Sequence, residues 1–593
     1  IGKRHKLETI DVLNPNGTLS EAAQVYIGED RAIARKKIIK DLDAAVLLVK
    51  AEDYNHSVGR SERTNAVVEP RLSLQWYVNM KSLAEPALEA VMSDDIEFFP
   101  KQQKNTYNHW MSNIRDWCIS RQLWWGHRIP VYYVGEEMFV AKSIEEALTL
   151  AQAKLGPEIS AEDLTQDEDV LDTWFSSWLW PITCFNGFHD KKELDYYFPT
   201  SILVTGWDII FLWVARMIMS GYEWEGDKAF KEVYFTGMVR DQQRRKMSKS
   251  LGNSPDALEL IEKFGADGVR FGVLSSSPAG GDLLFDDKLC EQGRNFCNKM
   301  WNGLRLLKGL EINSELPQPI ENAYATKWIK NRLNEVLSET NKDYTQYRLS
   351  DVTMKLYSFV WNDFFSWYLE MIKPAYGQPV DATTLAEALG VYEEVCILLH
   401  PLMPFITEEI WHQIRPREEN EVCMLASYPV VEEVDSNMLQ NVESYKNLVS
   451  KVREVRNAKQ LKPKELLTLH VEKSTSNLIA QTEIKALAQK LAFLEDVIIS
   501  ESLPTDGSSI LSDNEKYFLQ YALEIDLEEE QNRIEADLKY ARGFVNSVEK
   551  KLSNERFVNN APEAVVNGER KKLADGQERV RILEENLQNL LKK

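Results

Sequence analysis

At 593 residues, 44% hydrophobic and 27% charged with only 27 Gly and 21 Pro, the chain has the composition of a folded globular protein and not of a disordered or fibrous one. At about 150 residues per domain, the length predicts about four domains. The net charge of -22 excludes a uniformly basic nucleic-acid-binding surface and leaves room for local basic tracks only. Cys118, Cys184, Cys290, Cys297, Cys396 and Cys423 form no Cys-x-x-Cys pair, so neither a disulfide framework nor a structural zinc is expected.

Residues 1–64 read as a short apolar stretch at 10–13, a turn at Asn14-Pro15-Asn16-Gly17 and a helical pattern over 32–48,. With Ile1 in place of a starting Met and no signal-peptide architecture, this segment reads as the tail of something begun upstream,. From 70 to about 283, runs such as Arg128-Ile129-Pro130-Val131-Tyr132-Tyr133, Ser201-Ile202-Leu203-Val204-Thr205 and Glu232-Val233-Tyr234-Phe235 alternate with helical segments. Short buried strands between helices predict a parallel sheet. The longest apolar stretch, 202–219, contains Asp208 and Arg216, so it predicts a strand and a buried helix, and no membrane span is expected.

After Asp286, a 3.6-residue period over 301–310, 325–338, 349–371 and 385–399 predicts a helical bundle,. Segments 466–470 and 497–500 read as strands of a small linker module. From Leu527 the positions Gln531, Ile534, Leu538, Ala541, Val545, Val548 and Leu552 follow at alternating spacings of four and three,. A turn at Asn559, Asn560 and Pro562 then leads to Val566, Leu573, Val580, Leu583, Leu587 and Leu590, predicting an antiparallel coiled-coil hairpin,.

The chemistry concentrates at Lys246-Met247-Ser248-Lys249-Ser250, followed by Leu251-Gly252-Asn253, between a predicted strand and a predicted helix. Two mobile lysines at a sheet edge can clamp a polyphosphate, stabilising the charge that builds on pyrophosphate when a carboxylate attacks the α-phosphate of ATP. Lys249 is the first candidate for that role and Lys246 the second.

In this context the pentapeptide resembles the second signature of the class I aminoacyl-tRNA synthetases. Arg115-Asp116-Trp117-Cys118-Ile119-Ser120-Arg121-Gln122 is similar to a segment shared by their valine, isoleucine and leucine branches. Three further stretches resemble the valine branch: Leu123-Trp124-Trp125-Gly126-His127-Arg128-Ile129-Pro130, Asp172-Thr173-Trp174-Phe175-Ser176-Ser177 and Gly206-Trp207-Asp208-Ile209-Ile210-Phe211-Leu212-Trp213. The motifs stand in the family's order and the resemblance extends over essentially the whole chain.

The resemblance implies a multidomain α/β plus α protein. Its expected parts are the tail of an inserted editing domain over 1–65, the C-terminal half of a Rossmann-like catalytic domain over 66–290, and a helical anticodon-binding domain over 291–435. A linker module over 436–520 and a coiled-coil tRNA-binding arm over 521–593 complete it. It implies ATP-dependent ligation of valine to its tRNA through valyl-adenylate, with ATP carried as its Mg²⁺ complex, by an intact cytoplasmic monomer of which this chain is a large fragment, inactive alone. Isoleucine ligation, or a non-catalytic tRNA-binding protein derived from a synthetase, are the alternatives.

Residue by residue, the resemblance assigns ATP to Lys246, Ser248, Lys249, Gly206, Asp208 and Val239, and the amino acid to Trp174, Trp213 and Asp208. Rigid aromatic walls suit a small branched side chain, because they exclude larger ones sterically. A carboxylate in an apolar run needs a partner, and for Asp208 the candidates are the substrate ammonium, the ATP ribose and the start of the following helix. Trp124, Trp125 and Trp207 read as core tryptophans.

None of the eight histidines makes the family's first signature, His-x-Gly-His. Gly2-Lys3-Arg4-His5-Lys6-Leu7 resembles the close of the editing insertion, and no editing catalyst is assigned. Lys451, Arg453, Arg456, Lys459, Lys462 and Lys464 form a basic run that is either a tRNA phosphate track, led by the first three, or a solvated helix face,. Residues 550–593 hold ten Lys/Arg against seven Asp/Glu, a local reversal that favours tRNA. Trp361, Phe364, Phe365 and Trp367 read as core rather than as base-stacking platforms.

Overall fold

A computed structural model describes residues 2–61, 64–248, 251–462, 465–473, 478–504, 507–513, 515–521, 527–554, 557–558 and 562–591. The chain divides into two compact units, one of residues 1–95, 105–200 and 211–230 and the other of 96–104, 201–210 and 231–593.

In the first unit the Lys81–Met92 helix places Ala84, Ala87, Ala90 and Val91 on one buried face. The three- and four-residue spacing of these small side chains lets the helix pack closely on Ala215–Trp224, itself buried from Ala215 to Gly221,. A separate small sheet pairs Val131–Val134 antiparallel with Glu137–Val140 and Thr165–Gln166. The Ile144–Leu155 helix closes it over Tyr132, Phe139, Ala147 and Ala151. This corrects the expectation that the 128–133 run belongs to the parallel sheet. An apolar run fixes a buried strand but not its partner, and here the turn at 135–136 sends the chain straight back,.

The second unit holds a three-stranded sheet in the order 97–99, 230–236, 200–206. Glu232, Val233 and Tyr234 lie in parallel register with Glu97, Phe98 and Phe99. Phe98, Val233 and Phe235 are fully buried, the two rings meeting edge to face at 5.0 Å, so this sheet is a parallel core. Ala257–Phe264 and Ala266–Ser275 follow, and then the long helices Asp287–Lys308, Ile320–Thr345, Leu349–Ser358, Ala382–Leu399, Pro404–Ile414 and Ser436–Ala458. Asp256, Asp286, Asp381 and Asp435 cap four of these, each accepting first-turn N–H groups that have no partner within the helix,.

One apolar core runs from Phe271 to Leu519 without a break at residue 435, and Phe364 and Phe365 sit inside it. Leu494–Ser500, Leu467–Glu472, Glu515–Gln520 and Gly507–Ser512 form a mixed four-stranded sheet in that order. Leu527–Leu552 and Glu563–Leu591 lie antiparallel, tied by Lys551 to Glu569 at 3.1 Å and Arg542 to Glu584 at 2.6 Å. Asn559 and Asn560 of the expected turn lie outside the described residues. Among the described residues no helix is long and apolar enough to cross a membrane.

Candidate active site

In the second unit the Thr200–Gly206 strand ends in a 3-10 turn at Trp207–Ile209, which places Asp208 at the carboxyl end of a sheet strand. This is where open α/β sheets bind ligands. A Cβ on Gly206 would lie 2.6 Å from Asp208 Oδ1, so the glycine leaves room for the carboxylate to fold back over the strand end. Among the described residues the carboxylate caps neither the 207–209 turn nor the Ala215–Trp224 helix; it faces the Lys246 ammonium at 3.3 Å.

The loop carrying Lys246 is held by Asp241 and Asn253, neither of which stood out as a functional residue in the sequence. Asp241 Oδ1 accepts N–H bonds from Gln243 and Arg245, and its Oδ2 accepts the Arg245 Nε. Asn253 donates to Asp241 Oδ2 at 3.0 Å and to the Lys246 carbonyl at 3.3 Å, and its Oδ1 accepts the Ser248 N–H at 2.9 Å. The Asn253 amide and the Arg245 guanidinium pull the Asp241 carboxyl down to about 2,. The polar turn at 240–245 was the available signal, and it does not reveal that Asp241 and Asn253 meet.

Met247 N donates to the Val239 carbonyl at 3.0 Å, and Val239 itself is exposed on the Val239–Arg240 strand. Gly237 just before it is packed so tightly that a Cβ would lie 1.5 Å from the Gly281 carbonyl oxygen. Lys249, the first candidate for the phosphate clamp, lies outside the described residues together with Ser250.

In the first unit Trp174 is the second residue of the short Thr173–Ser177 helix, and Asp172 caps it through a 3.0 Å bond from the Trp174 N–H. Trp213 Nε1 donates to the Ser177 carbonyl at the other end of the same helix, at 3.1 Å, while its ring lies 5.4 Å from Trp180. The two expected pocket tryptophans, 39 positions apart in sequence, are therefore both anchored on one helix. Both remain half-buried.

Asp172 is buried, with Oδ2 accepting the Trp117 Nε1–H at 3.1 Å and pairing with Arg121. Arg216 is buried with its guanidinium 3.5 Å from the centre of the Trp117 ring, and its Nε and Nη1 have no hydrogen-bond partner among the described residues. Burial pushes its pKa down to about 10,.

A family model described as "tRNA synthetases class I (I, L, M and V)" matches residues 16–286, "Anticodon-binding domain of tRNA ligase" matches 326–472, and "Valyl tRNA synthetase tRNA binding arm" matches 526–591. A valine–tRNA ligase of Parabacteroides distasonis is 49% identical over 100% of this chain and 68% of its own length. One from Bacteroides thetaiotaomicron is 51% identical, with the same coverage of both chains. One from Chlorobaculum tepidum is 40% identical over 100% of this chain and 67% of its own. The chain belongs to the valine–tRNA ligase family. Its parallel sheet and helical domains are the class I synthetase fold of that family.

For this valine–tRNA ligase family member the expected tRNA track divides. Lys451 is exposed and bridges to Glu454 at 2.8 Å; Arg453 is exposed, 5.6 Å from the Trp367 ring, and donates to the Leu491 carbonyl. Arg456 does not belong with them. It is buried, donating to the carbonyls of Lys462, Ala492 and Phe493, so its guanidinium serves the fold and is not free for a phosphate. Lys464 lies outside the described residues. Trp124 and Trp125, expected in a core, are 101% and 89% exposed, because the 122–128 segment runs as a surface loop. Among the described residues no group of three or more His, Cys, Asp or Glu side chains is placed to hold a metal ion.

Proposed function

We propose that the chain carries the second half of the active site, the anticodon-reading bundle and the tRNA arm of an enzyme that ligates valine to its tRNA in two steps. In the first, a valine carboxylate oxygen bonds to the α-phosphorus of MgATP while the bond to the β-phosphate breaks and pyrophosphate leaves. In the second, a hydroxyl of the terminal tRNA ribose attacks the carbonyl carbon of valyl-adenylate, and AMP leaves.

The observation that carries this reading is Lys246 Nζ held 3.3 Å from Asp208 at the carboxyl end of the central sheet,. Lys246, with Lys249, neutralises the charge on the departing pyrophosphate, since ammonium groups aimed at developing charge act more strongly on the transition state than on bound ATP. Asp208 accepts from the valine ammonium or the ATP ribose. Gly206 and Val239 offer backbone to the nucleotide, and Ser248 a loop hydroxyl. Trp174 and Trp213 wall the side-chain pocket.

The antiparallel pairing of Leu527–Leu552 with Glu563–Leu591 supports a coiled-coil arm, with Ile534, Leu538, Ala541, Val548 and Val566 buried at heptad positions,. Together with Lys451 and Arg453 it tracks the tRNA backbone. The domain limits at 65, 290, 435 and 520, a cytoplasmic monomer and magnesium brought by ATP belong to the same reading.

Valine-dependent ATP–pyrophosphate exchange by the full-length enzyme tests it. Exchange is expected with valine and weaker with isoleucine, and the reverse order overturns the reading.

A further inference from the structure

We infer that Asp172 is a positioning residue that sets amino-acid selectivity by fixing Trp174, an inference that rests on the reading of Trp174 and Trp213 as pocket walls. The Thr173–Ser177 helix has five residues, too few to hold itself by internal hydrogen bonds, since the first turn fixes several dihedrals for little return. Its place is set by its tethers. At the C-terminal end the tether is the Trp213 indole on the Ser177 carbonyl; at the N-terminal end it is Asp172 on the Trp174 N–H.

The chemistry around Asp172 is one-sided. The Trp174 N–H, the Trp117 Nε1–H and the Arg121 guanidinium all donate to it. Arg216, stacked on Trp117, adds a second guanidinium whose charge the carboxylate feels. A carboxylate offers acceptors on both oxygens, whereas an amide of the same size offers one acceptor and one donor. Asp172→Asn therefore either gives up the cap or turns an NH₂ group toward Trp117 and Arg121. Both outcomes move the helix that carries Trp174, and a side chain in contact with substrate cannot move without changing what fits beside it.

The test uses the full-length enzyme, with active sites counted by burst titration and exchange measured with valine and isoleucine. Asp172→Asn is expected to raise the KM for valine about 10- to 100-fold, to leave the KM for ATP within about twofold, and to lower the preference for valine over isoleucine. Arg121→Met, at the more exposed partner of the pair, is expected to shift the valine KM in the same direction by less.

Trp174→Ala serves as the control on the pocket. If it leaves the valine KM and the preference unchanged, the pocket reading falls and this inference falls with it. If Trp174→Ala shifts both while Asp172→Asn changes only the count of active sites, changes both KM values in parallel, or changes nothing, the pocket stands and the inference is overturned. Should Asp172→Asn not fold, an unchanged valine KM in Arg121→Met overturns it.

Discussion

Lys246 Nζ lies 3.3 Å from Asp208 Oδ2, with both side chains open to solvent. A screened pair of this kind contributes only about 0–1 kcal/mol, so the ammonium is positioned over the end of the sheet yet costs little to transfer to a phosphate. Lys246→Ala is expected to lower kcat of valine-dependent pyrophosphate exchange about 100-fold while leaving the KM for valine nearly unchanged. Full-rate exchange would remove Lys246 from the phosphate clamp.

Asp241 gives the loop a pH signature. Its carboxyl sits at about 2 against an ordinary 3.8, held down first by the Asn253 amide and then by Arg245. A depressed folded-state value means stabilisation present above the ordinary value and lost as pH falls through the folded one. The protection factors of the Gln243 and Arg245 amides, which remove the intrinsic pH dependence of exchange, should thus stay high down to about pH 4 and fall toward about pH 2. In Asp241→Asn protection should be low throughout, and equal protection in the two proteins would contradict the assignment.

Asp267 accepts the N–H groups of Phe405 and Ile406 at 3.3 and 2.6 Å, and Arg270 one turn on donates to the carbonyls of Leu402 and Pro401. These two residues of Ala266–Ser275 clamp the start of Pro404–Ile414. Loss of the cap in Asp267→Ala should cost about 1–2 kcal/mol in urea denaturation. Burial pushes the Asp267 carboxyl up, so its ionisation costs stability as pH rises past the ordinary carboxylate value. Asp267→Asn, neutral and still an acceptor, should lose less than Asp267→Ala at neutral pH.

Arg456 and Lys451 should separate cleanly. Arg456→Ala strands three carbonyls that its guanidinium now satisfies and should cost about 2–3 kcal/mol of stability without changing the salt dependence of tRNA binding. Lys451→Ala should leave stability alone and reduce the slope of log K against log salt by about 1. An unchanged slope would take Lys451 off the phosphate track.

Helix positions, the central strands and the order of the motifs were legible along the chain, because periodicity and turn residues are local properties. The chain alone also placed Phe364 and Phe365 in the core, where they are found. It misassigned Trp124, Trp125 and the 128–133 strand, since an apolar residue type records a preference for burial and not the availability of a partner.

Amino-acid order by itself determined the family, the lysine loop and the residue types of the candidate pocket. Only the tertiary structure decided that Asp241 and Asn253 organise that loop, that Arg456 is consumed by backbone carbonyls, and that Trp174 and Trp213 hang from one short helix capped by Asp172. The physical reason is that a buried polar group takes its role from whichever partner folding brings within about 3 Å, and the pairs Asp241–Asn253, Arg456–Ala492, Ser177–Trp213 and Trp117–Asp172 join positions 12 to 55 apart along the chain.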